Sequence, residues 1–534
     1  MKIVVVGSGV SGTHAALTLL ERNFDVELWD VGREVDSFIE KGVTFNDLKN
    51  ILNDTSTYFL GSDALSALIS PESEELLRYP PSRTFLASKN DPLWSFKSNS
   101  FFPFASFTEG GLANGWGANA LSFDENDLAD WPISFSDMEP AYSKVYKRIA
   151  VAGPLKDHLT SHLSGVYPSQ PPVKLSSADQ VLLNSYSKKK SQLHRLGIKI
   201  GLARLAMITD PEREDACDYC DRCLWGCPHN SIYNPSFSTL KQCHTFSRFN
   251  YITGRYALSL SSNKNKITGI HYLDIETQQI LHDKCDAVFL AAGALASGAI
   301  FLRTLKTARP DIPAETEGLM DTRVVKLPYV LLRQLGRPSD KRAFQFNRLI
   351  MGIINDHASW PRYLHGEVLH LTSLLYYPLI EWMPFGSKFS KRIFFAIKSS
   401  LGTVSLFFPD KITPGNRQTL VSDGRRWDSV HLSYQESAGK NDYIERSIKN
   451  VRSGLLRLGC VPKGIIYSPP GAGIHYAGTI PMGKGIKNCD TLGKSNLFSN
   501  LFITDGAAFP SLPSKSITLS LAAHATRTAL NARL

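Results

Sequence analysis

Three groups of residues have types and spacings that could do chemistry. His475 opens the run His475-Tyr476-Ala477-Gly478-Thr479, with Pro481-Met482-Gly483 close behind. A histidine beside a hydroxyl is a natural proton acceptor, because imidazole titrates near neutrality. Four of the eight cysteines, Cys217, Cys220, Cys223 and Cys227, fall within eleven residues and precede Pro228. Their C-x2-C-x2-C-x3-C-P spacing is that of an iron–sulfur run whose fourth thiolate serves another cluster. A single cluster here would need one of Cys243, Cys285, Cys460 or Cys489, or would hold three irons. A metal-free structural turn is the competing reading, and zinc suits this grouping less well. The third group is Gly7-Ser8-Gly9-Val10-Ser11-Gly12, a G-x-G-x-x-G turn.

That turn needs a frame, and its flanks supply one. Lys2 to Val6 is a β-branched run that reads as a buried parallel strand. Thr13 to Arg22 reads as a helix, and Asp25 to Trp29 as a second strand ending at Asp30. The acid stands near the offset of about 20 residues expected of a ribose-binding carboxylate. Strand, turn, helix, strand and acid together predict a dinucleotide site. Gly7, Gly9, Ser11 and Gly12 would let backbone N–H groups approach a pyrophosphate at the helix N-terminus. FAD and NAD are not separated by this motif.

More signals follow along the chain. Gly110 to Asn119 is a glycine- and asparagine-rich loop, and Asp130-Trp131-Pro132-Ile133 leads into a helical stretch, Met138 to Ile149. Lys266 to Ile275 and Ala287 to Leu290 read as strands, the second running into Ala291-Ala292-Gly293-Ala294. Asn500 to Ile503 precedes Thr504-Asp505-Gly506-Ala507-Ala508-Phe509-Pro510, and Ser516 to Leu530 reads as a terminal helix. With the N-terminal turn and the His475 run, these ordered motifs resemble the glucose–methanol–choline (GMC) family of FAD-dependent oxidoreductases. The resemblance covers roughly half of the chain.

The resemblance implies an α/β fold: a Rossmann-like, doubly wound FAD-binding domain with a discontinuous α+β substrate domain built on an antiparallel sheet. Residues 1–40, 100–125, 215–305 and 470–534 would form the first and 126–214 and 306–469 the second, with 41–99 a variable insertion. Asp505-Gly506 would close a second cofactor turn, and Gly110, Gly111, Asn114, Gly117 and Asn119 would pass close to the isoalloxazine. Asp30, Ala257, Ala292, Gly293 and Thr518 complete the expected FAD contacts. Some relatives carry a covalent flavin on a histidine where this chain has Gly115, so FAD is expected to be non-covalent. His475 would be the catalytic base. The family's second histidine or asparagine falls on Ser514, a departure. Its neighbour Lys515 could supply positive charge to an anionic substrate or reduced flavin, or be solvated. Relatives also carry a Cys/Gly-rich turn near the cysteine run, followed by a stretch similar to Tyr233–Leu240.

Composition bounds the rest. At 534 residues, 43% apolar and 20% charged, the chain is globular rather than disordered, collagenous or coiled-coil. Lys+Arg 59 against Asp+Glu 49 leaves only +10, with no concentrated basic face, so a nucleic-acid partner is not expected. Eight cysteines are too few for a disulfide scaffold, so reduced thiols and a cytoplasmic location are the expectation. The uncharged run Ile3–Leu20 is broken by glycines, and Ala287–Leu302 is too short for a membrane span. Trp382 to Pro409 lacks acids but holds Lys388, Lys391, Arg392 and Lys398, with Phe389, Ile393 and Ile397 at i, i+4, i+8. A basic amphipathic helix is predicted, flanked by Tyr376, Tyr377, Trp382 and Phe385. It would lie on a membrane surface as a peripheral contact or pack on the substrate sheet.

The leading expectation is a dehydrogenase oxidising the CH–OH group of an alcohol substrate (a sugar, sterol or lipid-linked hydroxyl) by hydride transfer to flavin. Its electron acceptor would be something other than oxygen, which the sequence does not name. A non-oxidative flavin-dependent isomerase and an FAD-holding electron-transfer subunit are the alternatives.

Overall fold

A computed structural model describes residues 1–34, 43–44, 47–51, 54, 58, 80, 83, 85–86, 91–165, 167–355, 359–371 and 384–534. The strands that matter to the site are β1 (Ile3–Val6), β2 (Val26–Trp29), β3 (Ile198–Leu202), β4 (Phe249–Ile252), β5 (Ala287–Leu290), β6 (Arg323–Leu331), β7 (Leu349–Ile354), β8 (Tyr363–His370), β9 (Leu401–Phe408) and β10 (Leu501–Ile503). The helices are α1 (Val10–Glu21), α2 (Phe135–Arg148), α3 (Ser177–His194), α4 (Ala294–Ala308), α5 (Ser387–Ile397), α6 (Lys440–Leu458) and α7 (Thr518–Asn531).

β1 consists of β-branched residues buried on both faces, which is what a central parallel strand requires. It pairs in parallel with β2 and β5, and the sheet runs β10–β5–β1–β2–β4, parallel throughout. Alternate residues serve opposite cores. Ile3 and Val5 pack with Leu17 and Leu20 of α1 and with Ala525 and Ala529 of α7. Val4 and Val6 join the core that holds Leu295 and Ile300 of α4.

The second sheet is antiparallel. Its order is Cys460–Pro462, β6, β9, β8, β7, β3, with Ile466–Tyr467 also paired to β6. Val325, Leu327, Val404, Leu406, Leu364 and Val368 share a core with Leu182 of α3 and Ile448 and Val451 of α6. The strand period of two then turns Lys326, Ser405 and Glu367 to the other face. The fold is thus mixed α/β, a parallel Rossmann-like sheet beside an antiparallel one.

Several elements begin or end differently from the sequence expectation. α2 starts at Phe135, ahead of the expected Met138, because Ser134 and Asp137 form a capping box. The basic segment is not one helix: α5 ends at Ile397, and Leu401 opens strand β9. Tyr376, Tyr377 and Trp382 lie outside the described residues. Among the described residues no helix is long and apolar enough to cross a membrane.

Candidate active site

A cavity of about 500 Å³ is lined by residues of both sheets. Three helices, α1, α4 and α7, bring their N-terminal residues to it. None of the three has a side-chain cap or an acid in its first turn; their N-cap residues are Gly9, Gly293 and Ile517. α2 and α3, by contrast, are closed by capping boxes at Ser134/Asp137 and Ser176/Asp179. Uncapped N–H groups and the positive end of the helix dipole favour an anion there.

The glycines divide the work. A methyl group on Gly12 would sit 1.7 Å from the Gly7 carbonyl oxygen, and one on Gly7 would meet the Ala291 carbonyl oxygen at 2.6 Å. Both therefore serve the close packing of α1 on β1 and β5. Around Gly9 and Gly293 a methyl would meet nothing within 4 Å, so both leave room for a ligand. At the end of β2, Asp30 accepts hydrogen bonds from the Ser8 hydroxyl and, at 3.2 Å, from the Ser8 N–H. Burial pushes its carboxyl up to about 6 despite those bonds. Asp505 accepts from Gly293 N–H at 2.8 Å, from the Ser297 hydroxyl at 2.6 Å and from Ala507 N–H at 2.9 Å. It ties β10 to the start of α4, and burial raises it to about 6 as well. Asp505 already faces the start of α4, so room at Gly9, the open ends of α1 and α7 and a carboxylate closing β2 are what fit an FAD.

Most residues singled out from the sequence reach this cavity. Gly7, Gly9, Ser11, Asp30, Gly110, Gly111, Gly117 and Asn119 line it, as do Ala257, Ala292, Gly293, Asp505, Gly506, Thr518 and His475. Gly12 stands behind it as packing. Asn114 lines a separate pocket of about 120 Å³ with Cys223 and Cys227. Its amide donates to Thr108, Glu109 and Gly111 and accepts from Asn234, so it shapes the loop.

At the other end stands His475. Its ring stacks on Phe407, with centroids 5.9 Å apart, and its buried Nδ1 has no hydrogen-bond partner among the described residues. Burial lowers the imidazole to about 4, so it is neutral at pH 7 and able to take a proton. Beside it the antiparallel sheet presents a polar row that the sequence analysis missed: Lys326, Ser405 and Glu367, register neighbours on β6, β9 and β8, all lining the cavity. Burial raises the Glu367 carboxyl to about 8, against the pull of Lys326, and lowers the Lys326 ammonium. Asn119 donates to Glu367 at 2.8 Å. The available signal was a polar residue, Lys326, Ser405 or Glu367, set among apolar ones in each strand.

Ser514 and Lys515 are placed differently from expectation. Neither lines the cavity, and both are buried. The Ser514 hydroxyl donates to the Tyr363 carbonyl at 3.0 Å and accepts from His365 N–H at 3.1 Å, fixing the start of β8. Lys515 lies 2.7 Å from Asp124 and 2.5 Å from Asp127. Its charge is consumed by two carboxylates, so it is neither solvated nor turned toward a ligand.

The cysteine run is a turn of free thiols. Among the described residues no group of three or more His, Cys, Asp or Glu is arranged to hold a metal ion. Burial raises the Cys217 thiol to about 12 and pushes Cys220 and Cys223 up as well. The iron–sulfur expectation gains no support among the described residues.

Comparison with known proteins bears on these findings. Residues 466–525, which carry His475 and Asp505, match the family model described as GMC oxidoreductase. No curated protein sequence matches the chain. Among solved structures, the crystal structure of pyridoxine 4-oxidase from Mesorbium loti superposes with a TM-score of 0.62 at 14% identity, covering 99% of this chain and 98% of that one. An FAD-dependent oxidoreductase from Chaetomium thermophilum, solved with a bound fragment, gives 0.58 at 13% identity with the same coverage. The match to the GMC oxidoreductase model covers the C-terminal segment, and the fold of the whole chain is shared with these two structures.

Proposed function

We propose that the chain is an FAD-dependent oxidoreductase that converts an alcohol CH–OH group to a carbonyl. The observation that carries this reading is His475: a neutral imidazole whose buried Nδ1 has no partner among the described residues, in one cavity with helix N-termini that lack side-chain caps. FAD, when bound, supplies a ring that accepts hydride from the carbinol carbon. His475 takes the hydroxyl proton at an imidazole nitrogen, and Phe407 holds the ring in place by stacking. Lys326, Ser405 and Glu367 orient the oxygen-bearing end of the substrate. Glu367, protonated near neutrality, offers an O–H donor. Gly9 would leave room for FAD, and the N-terminal ends of α1 and α7 would oppose its negative charge. The binding is non-covalent, since Gly115 has no side chain to form a flavin bond. We read the electron acceptor as other than oxygen, and the location as cytoplasmic on the low cysteine content of the sequence.

One observation favours a second reading, non-oxidative isomerisation: His475 and Glu367 are two proton-carrying groups on one cavity. Anaerobic mixing with a panel of sugar, sterol and long-chain alcohols separates the two. Bleaching of the flavin with a carbonyl product supports oxidation. A rearranged product with unchanged flavin absorbance supports isomerisation. Rapid reoxidation by air alone would replace the dehydrogenase by an oxidase.

A further inference from the structure

Helix α5 combines exposed aromatic rings with exposed positive charge. Phe385, just before it, and Phe389, in its first turn, are 53% and 54% exposed. Their rings meet edge to face at 5.3 Å. The side of α5 turned to the protein is a different one, since Ser390 and Phe394 are buried. The side expected from the sequence spacing, Phe389–Ile393–Ile397, is thus not a single buried or exposed stripe: Phe389 is exposed and the two isoleucines are half-buried. Lys388, Lys391 and Arg392 are exposed beside the phenylalanines. Lys398, one residue beyond the helix, is largely buried and within electrostatic range of Asp221. The segment from Pro384 to Pro409 contains no acidic residue.

We propose that α5 with Phe385 is a docking surface for an anionic lipid bilayer, bound peripherally. Aromatic rings beside lysine and arginine match the two layers of a membrane interface, acyl boundary and anionic headgroups, better than either feature alone matches a water-facing helix. A second copy of this chain would set the same positive face against itself, in a chain already at +10. The helix also leads directly to the proposed site. β9 begins four residues after α5, and its Ser405 and Phe407 line the cavity. α5 and the polar wall of the cavity are thus consecutive along the chain, joined by the short turn Lys398–Ser400. The docking is independent of the reaction proposed above.

Co-sedimentation of the full flavin-loaded chain with vesicles tests it. The protein should pellet with phosphatidylcholine–phosphatidylserine vesicles, stay in solution with phosphatidylcholine alone, and be released by salt. Lys388→Gln with Lys391→Gln should weaken the partition coefficient by about 30-fold, the effect of removing two surface-bound charges. Phe385→Ser with Phe389→Ser should abolish pelleting while the protein still melts cooperatively with at most a small drop in melting temperature, because both rings are more than half exposed. Wild type that ignores anionic vesicles overturns the proposal, as does a phenylalanine double variant that binds like wild type. A self-association in sedimentation velocity that these substitutions remove, without vesicle binding, would give the face to a second copy instead.

Discussion

His475 and Glu367 have their protonation states set by the same force acting on opposite charges. Burial disfavours imidazolium and carboxylate alike, so the histidine falls to about 4 and the glutamate rises to about 8. His475→Ala should slow substrate oxidation by about 100-fold or more while FAD stays bound, the usual scale for a lost general base. In the wild type, the acid limb of kcat/KM should fall near pH 4; a limb at the ordinary histidine value would mean a solvated ring. For Glu367 the sign follows from its raised value. Its contribution to stability is fully present below its unfolded value of 4.5 and is lost as pH rises through about 8. Glu367→Gln, which keeps the neutral shape, should therefore hold its melting temperature better than wild type between those limits. Parallel curves of melting temperature against pH would contradict the assignment. His475 was legible in the sequence because its motif is contiguous. Lys326, Ser405 and Glu367 come from three separate strands, and only the pairing register brings them into one row.

At the scale of elements, the turn before α7 acts on β8 rather than on the cavity. Ser514 bonds the backbone at Tyr363 and His365, and Lys515 lies 5.5 Å from the Tyr363 ring while neutralising Asp124 and Asp127. Lys515→Met should cost about 3–5 kcal/mol in urea unfolding, because two buried carboxylates lose their cation. Ser514→Ala should cost about 1 kcal/mol, the net worth of an ordinary hydrogen bond, with little change in turnover. A stable Lys515→Met with altered substrate charge preference would return the lysine to the site. Sequence reasoning named Ser514 and Lys515 by counting back from Thr518, but side-chain direction at the start of α7 cannot be read from spacing. β9 was hidden for a related reason. Its alternation of Val404, Leu406 and Phe408 against Ser405 and Phe407 is masked by the apolar run that α5 begins.

Across the whole molecule, two sheets of different construction share one cavity, and they were unequally visible beforehand. The parallel half announced itself through turns whose glycines have no substitute: Gly7 at φ +103 and Gly12 against the Gly7 carbonyl leave no room for a side chain. The antiparallel half gathers strands from separate parts of the chain, Ile198–Leu202 and Arg323–Phe408, and residues 306–465 carry no motif that fixes their pairing. The central claim rests on the cavity holding FAD without a covalent bond. The absorbance spectrum of the purified protein, recorded before and after acid precipitation, tests it most directly. Flavin bands should accompany the protein, and the yellow FAD should pass wholly into the supernatant. A colourless protein that acquires no flavin on incubation with FAD, or colour that remains in the pellet, would contradict it.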